Sequence, residues 1–198
     1  MKIAVDIDDT LSVVQRVKPA EAYIKRNHLP FRVVDPNAHV YQQVIDWQEK
    51  DAIEFINNGG IVVFTDAEAR KGARETLERW RAAGHEIIIL TARPKSWFAN
   101  PERISRDWLQ KRKIPYDVLV AECEEKGKYC KEHGVDILID DNVDICAEAQ
   151  NDYHVAAVLA SGKHCMDRLD EVAFSASDWE GIARCVEEIA RRKGNGLI

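Results

Sequence analysis

The chain has 198 residues, 45% of them hydrophobic and 31% charged, with a formal net charge of −6. That length suits one α/β domain carrying a small insertion, and the composition suits a globular protein with a sizeable core. An acidic balance argues against a nucleic-acid polymer as partner, because phosphate-backbone binding needs a basic face; a small phosphorylated substrate stays open, since a bound cation inverts the local charge of an acidic site.

The first element is a β-branched apolar run over residues 2–7, read as a buried strand. It carries a single lysine and starts at once, so a cleaved leader is not expected. About 60 residues then precede the next helix of crossover length, far more than a crossover needs. Residues 12–69 are therefore read as a small, mostly helical cap over the carboxyl edge of the sheet, with residues 1–11 and 70–198 forming the core domain. Inside the cap, helical patterns cover 18–27 and 40–56 and stop at Asn57-Asn58-Gly59-Gly60, while 61–65 is ambiguous between strand and packing segment.

The spacing of Ala73, Leu77, Trp80 and Arg81 predicts a helix over 70–83, ended by Gly84. A strand follows at 86–91, then a helix at 101–111 with Ile104, Trp108 and Leu109 on one face. Strands are expected at 117–121, 136–140 and 154–159, with a lysine-bearing helix from about residue 126 and another over 145–149. Ser177 and Glu180 suggest a capping box for a last helix through Ala190. The glycine-containing tail 193–198 is expected to fray. Alternating strands and helices predict a Rossmann-like, doubly wound parallel sheet. No apolar run is long enough to span a membrane. Cys123, Cys130, Cys146, Cys165 and Cys185 show no CxxC spacing, so reduced thiols in a cytoplasmic protein are expected rather than a disulfide framework or zinc site. The oligomeric state stays open, a homodimer being among the arrangements allowed.

Ligands of open α/β sheets bind beyond the carboxyl ends of the strands. The first strand delivers Asp6-Ile7-Asp8-Asp9-Thr10, the second Thr91-Ala92-Arg93, and the fourth Asp140-Asp141-Asn142-Val143-Asp144; Lys126, Lys128 and Lys131 stand ahead of the fourth. Helix capping alone would account for Asp8, Asp9 and Thr10 but not for Asp6. The order Asp6-x-Asp8-x-Thr10, Thr91, lysine, Asp140-Asp141 resembles the haloacid dehalogenase (HAD) superfamily. The resemblance implies a phosphatase in which Asp6 attacks phosphorus and Asp8 acts as general acid and base. It further implies Mg²⁺ held by Asp6, the Asp8 carbonyl and Asp140 or Asp141. Thr91 would bond a phosphate oxygen, and a lysine, Lys126 ahead of Lys128, would neutralise charge. Thr10 and Arg93 are the expected substrate contacts. Asp8 disfavours a dehalogenase, which lacks an aspartate there.

The details Asp-Ile-Asp-Asp-Thr-Leu, Gly84-His85-Glu86 and Ile139-Asp140-Asp141 look like the 5′(3′)-deoxyribonucleotidase-like branch, implying a nucleoside monophosphate substrate. Asp9 departs from the glycine often found there. Phe31, Tyr41 and Trp47 are candidate base-stacking residues, with cap core as their other reading. Sugar phosphates or other metabolites are the alternative substrates. A different class, a receiver-like module, also gathers Asp, Thr and Lys about Mg²⁺, but its phosphorylated Asp ends the third strand, where this chain has Val120-Ala121-Glu122. A catalytically idle phosphate-binding protein is the third reading, disfavoured by intact Asp6 and Asp8.

Overall fold

The computed structural model describes residues 1–38 and 40–194. Its centre is a six-stranded sheet of β1 (Lys2–Val5), β4 (Glu86–Leu90), β5 (Val118–Val120), β6 (Ile137–Asp140), β7 (Ala156–Ala160) and β8 (Ser175–Ala176). The order is β5-β4-β1-β6-β7-β8, and each neighbouring pair is parallel. The five expected strands are present. The sixth, β8, is two residues long, too short for a periodic signal, and it forms by pairing with β7.

Both faces of the sheet are covered, which is why the strands read as continuous apolar runs. Successive side chains point to opposite faces. Ile3, Val5, Ile87, Ile89, Ile137 and Ile139 pack against α5 (Ala73–Ala82), α6 (Pro101–Lys111) and α9 (Trp179–Gly194) through Leu77, Trp80, Trp108 and Ile182. Ala4, Ile88, Leu90, Leu138 and Leu159 face α7 (Lys126–His133) and α8 (Val143–Asn151) through Cys130, Cys146 and Ala149. All five cysteines are free thiols. Among the described residues no helix is long and apolar enough to cross a membrane.

In this order the first and fourth parallel strands, β1 and β6, lie side by side at the centre. A receiver-like sheet instead places its first and third strands together. The connectivity is the dinucleotide-fold order, with its switch point between β1 and β6.

The segment after β1 forms a two-stranded antiparallel ribbon, β2 (Ser12–Val13) with β3 (Glu68–Ala69). Between them lie α1 (Val17–Arg26), α2 (Tyr41–Val44), α3 (Glu49–Phe55) and α4 (Val62–Thr65). Their aromatic core of Tyr23, Tyr41, Trp47, Phe55 and Phe64 continues onto Phe98, beyond β4. The single helix expected over 40–56 is two helices. Ile45 is extended and bridges Val33, and Gln48 and Asp51 form a capping box that restarts the helix. Gly59, at φ 100°, permits the turn after α3, and 61–65 resolves as helix because it packs Val63 and Phe64 inward.

Two helix starts also differ from expectation. α5 begins at Ala73, after Gly72 in the left-handed region, and Arg81 lies outside its buried face, paired with Asp117. The cap of α9 is Asp178, whose Oδ1 accepts from Gly181 N at 2.7 Å, while the Ser177 carbonyl accepts from Arg70. α9 continues through Lys193, which pairs with Asp136, to Gly194. The rest of the tail expected to fray, 195–198, lies outside the described residues, as does His39, to which the sequence assigns no role.

Candidate active site

The sheet's central strands carry the site. Asp6 directly follows β1, its N–H donating to Ile139 O at 3.0 Å, and Asp140 ends β6. Thr91 follows β4, its N–H bonded to Val120 O at 3.0 Å. Lys126 is the first residue of α7, and Gly127 lets that helix approach α8: a Cβ there would lie 2.5 Å from the Tyr153 ring. The approach delivers Lys126 Nζ to 2.6 Å from both Asp6 Oδ1 and Asp140 Oδ2. Asp6, Lys126 and Asp140 are 5%, 2% and 0% exposed. Lys128 pairs with Glu125 on the surface and Lys131 is exposed, so Lys126 alone of the three enters the site.

Burial of so much charge leaves its mark on the titrations. Desolvation pushes Asp6 up to about 7; Lys126 opposes this, and the charges of Asp140 and Asp8 add to it. Asp141 is raised well above the usual carboxylate range by burial first, then by Asp140, Asp6 and Asp9. Burial would lower the Lys126 ammonium, but Asp140 and Asp6 outweigh it and hold the lysine charged.

Thr10 and Arg93, expected to touch substrate, have other partners. Thr10 is fully buried and its hydroxyl faces Asp141 Oδ1 at 3.4 Å. Arg93 grips Asp8 with a fork, Nε to Oδ2 at 2.8 Å and Nη2 to Oδ1 at 2.7 Å, and adds Ser105 Oγ at 3.2 Å. Its guanidinium is 3% exposed and lies over the Phe64 and Phe98 rings. Such a bidentate pair fixes orientation as well as charge. No local sequence pattern marks a partner for an arginine three residues into a loop, so this contact is a product of the fold.

Asp9 has φ 60°, the left-handed conformation that favours glycine. The aspartate is retained by local bonds: its carboxylate accepts from Val14 N at 3.1 Å and pairs with Arg16, and its carbonyl accepts from Arg70 at 3.0 Å. Arg16 and His164 are the residues that sequence reasoning missed. His164 Nε2 donates to the Asp141 carbonyl at 3.0 Å, and a lone histidine offers no spacing signal that could have shown it.

The acidic centre fits a divalent cation in charge and donor type. Three buried carboxylates, Asp6, Asp140 and Asp141, face the Lys126 ammonium, and Asp6 and Asp141 are raised by burial first and then by their carboxylate neighbours. Hard oxygen donors are what Mg²⁺ takes. Among the described residues no three acidic, histidine or cysteine side chains already close on a common point. Both Asp140 oxygens have protein partners, Lys126 and the Asn142 N–H, whereas among the described residues the Asp141 carboxylate has longer contacts, Thr10 at 3.4 Å and His164 at 3.6 Å.

Beside this centre lies a cavity of about 350 Å³. It is lined by Asp8, Thr91 and Arg93 together with the aromatic residues Tyr41, Phe64 and Trp97. Tyr41 is 2% exposed, and its hydroxyl has no partner among the described residues. Of the other two aromatic candidates, Trp47 packs in the insertion's core and Phe31 against it, rather than on the cavity.

No family model and no curated protein matches the chain. Solved structures do. A predicted phosphatase from Clostridium acetobutylicum superposes with a TM-score of 0.66 at 11% identity, over 94% of this chain and 98% of that one. The chain shares its fold. A phosphonoacetaldehyde hydrolase like protein from Oleispira antarctica gives 0.65 at 12% identity, over 98% and 94%. A predicted phosphoglycolate phosphatase from Haemophilus somnus gives 0.61 at 16% identity, over 93% and 96%. The shared architecture is the α/β sheet with helices on both faces, and it extends over nearly the full length of the chains compared.

Proposed function

We propose that this chain is a Mg²⁺-dependent, HAD-type phosphatase that acts through an aspartyl-phosphate on Asp6, with a nucleoside monophosphate as the favoured substrate class. The observation that carries the reading is the buried Asp6–Lys126–Asp140 array at the switch point of the sheet, with Asp8 and Thr91 beside it. Likeness in fold to two predicted phosphatases and a hydrolase-like protein supports the same reading.

Lys126 holds Asp6 Oδ1, orienting the carboxylate so that its second oxygen can approach phosphorus. As the Asp6–phosphorus bond forms, the ester oxygen leaves and takes a proton from Asp8. Asp8 is held by the Arg93 fork, and the proton it passes on arrives with the substrate: a phosphate monoester has its second ionisation near pH ~6 and can supply one. In the second half-reaction Asp8 removes a proton from water, which attacks phosphorus and releases Asp6 and inorganic phosphate. Thr91 bonds a phosphoryl oxygen, and Lys126 offsets charge on the nucleophile. Asp6, the Asp8 carbonyl and one of Asp140 and Asp141, with Asp141 the freer carboxylate, would hold Mg²⁺, which supplies neutralisation for the meeting of two anions.

The leaving group occupies the aromatic cavity, where the rings of Tyr41, Phe64 and Trp97 suit a planar base better than a polyhydroxyl sugar. Sugar phosphates are the second reading, favoured by likeness to a putative beta-phosphoglucomutase from Thermotoga maritima (TM-score 0.62, 14% identity). Free thiols throughout fit a reducing, cytoplasmic compartment.

Hydrolysis of an aryl phosphate, followed by a screen of nucleotides and sugar phosphates with and without Mg²⁺, tests the proposal. Hydrolysis should require Mg²⁺ and vanish in Asp6→Asn while circular dichroism stays unchanged. Full activity of that variant, or in excess chelator, refutes the mechanism; preference for sugar phosphates over every nucleotide refutes the substrate class alone.

A further inference from the structure

A second cavity, of about 580 Å³, is lined in part by Asp9 and shares Arg16 with the aromatic one. Its walls carry four cations, Arg16, Lys18, Arg70 and Lys163, and one carboxylate, Asp9. In a chain of net charge −6, that local excess of positive charge is unexpected. Arg16 is paired with Asp9. Arg70 donates only to the carbonyls of Asp9 and Ser177, so no carboxylate balances it among the described residues. Lys18 and Lys163 likewise have no carboxylate partner among the described residues.

The backbone adds to the same field. Helix α1 begins at the cavity; no side chain caps its first N–H groups, and no acid stands in its first turn. An uncapped helix N-terminus presents unpaired donors and a partial positive charge. Ser12 also lines the cavity. It is 1% exposed, and its hydroxyl is a buried group with no partner among the described residues. Buried polar atoms are ordinarily satisfied, so an orphaned hydroxyl beside unbalanced cations and an uncapped helix indicates a ligand that completes them.

We propose that this cavity is a second anion site, which binds a phosphoryl or carboxylate group other than the one hydrolysed at Asp6. The group would accept from Ser12 Oγ and the first N–H groups of α1 while Lys18, Lys163 and Arg70 balance its charge. The anion is either a second acid group, on a substrate that carries one beyond a simple nucleoside monophosphate, or a separate free anion, and both present the same chemistry to these residues.

The test is a titration of the intact, isotope-labelled protein with inorganic phosphate, in chelator, followed through its backbone amide resonances. The amides of Ser12, Val17 and Lys18 should shift saturably. In the double variant Lys18→Glu, Lys163→Glu, whose substitutions lie on exposed side chains, the affinity should fall by about tenfold or more, one charge-assisted bond corresponding to at least that factor. No saturable shift up to tens of millimolar, or an unchanged affinity in the double variant, overturns the proposal. This arm reads binding without turnover, so it stands or falls independently of the phosphatase reading. A second arm separates the sources by comparing hydrolysis of phenyl phosphate with that of a carboxylated phenyl phosphate. A loss of kcat/KM confined to the doubly anionic substrate in the charge-reversed variant assigns the site to the substrate; phosphate binding with equal responses of both substrates assigns it to a free anion.

Discussion

Replacing Lys126 by methionine tests the array of buried charges without assuming what it does. In the native site the ammonium lies 2.6 Å from Asp6 and from Asp140, all three side chains being nearly inaccessible. Methionine fills much of the same volume but leaves two carboxylates buried without their counter-charge. Breaking a buried ion pair by removing one partner costs about 3–5 kcal/mol. For a chain of this length that is a fall in Tm of ~10 °C. The pH dependence carries a definite sign. Asp6 is raised to about 7 in the fold, above the carboxylate's unfolded value of about 3.9. Its contribution to stability is therefore fully present below the unfolded value and is lost as pH rises through 7. Lys126 lowers Asp6, so its removal raises that carboxyl further, and Lys126→Met should lose most stability above neutrality and regain part of it near pH 5. Thermal unfolding in chelator at two pH values, with Lys128→Met as surface control, measures this. A loss below about 1 kcal/mol near pH 8, or one equal at both pH values, would show that the ammonium does not compensate these carboxylates.

Other substitutions probe the neighbouring contacts. Asp8→Asn should slow hydrolysis by roughly 10²–10⁴-fold, most with poor leaving groups, and an unchanged leaving-group dependence in steady-state kinetics would remove Asp8 from the acid–base role. Arg93→Gln should reduce kcat by roughly 10–100-fold with KM for a small aryl phosphate little changed, because the arginine orients Asp8 rather than binding substrate; a selective rise in KM would restore it as a substrate contact. Tyr41→Ala and Trp97→Ala should reorder a panel of nucleotides while leaving a small aryl phosphate nearly unaffected, and an unaltered ranking would empty the aromatic cavity of its assigned role. Asp117, held below the usual carboxylate range by Arg81 and the Ile87 N–H despite partial burial, stabilises the fold above its unfolded pKa. Its contribution is lost as acid takes the pH below about 4, so Asp117→Asn should flatten the acid limb of a urea-stability curve, and a limb as steep as wild type would refute the linkage.

The sequence by itself determined the elements whose periodicity is set locally and the order in which they follow. Five β-branched runs became five parallel strands because a doubly covered sheet demands apolar residues on both faces. The α6 helix keeps the bounds its Pro101 start and apolar face imply, and Asp6, Thr91 and Asp140 each stand where a strand hands over to a loop. Tertiary structure decided what depends on distant partners. Strand β8 exists only because β7 offers an edge, and the 40–56 segment breaks because Val33 bridges Ile45. The choice of Lys126 over Lys128 rests on which lysine the close approach at Gly127 turns inward. Arg93, read from the sequence as a substrate contact, holds Asp8 from 85 positions away. Such partners are separated along the chain and carry no local pattern; only the packing of the sheet against the insertion brings them within hydrogen-bond reach.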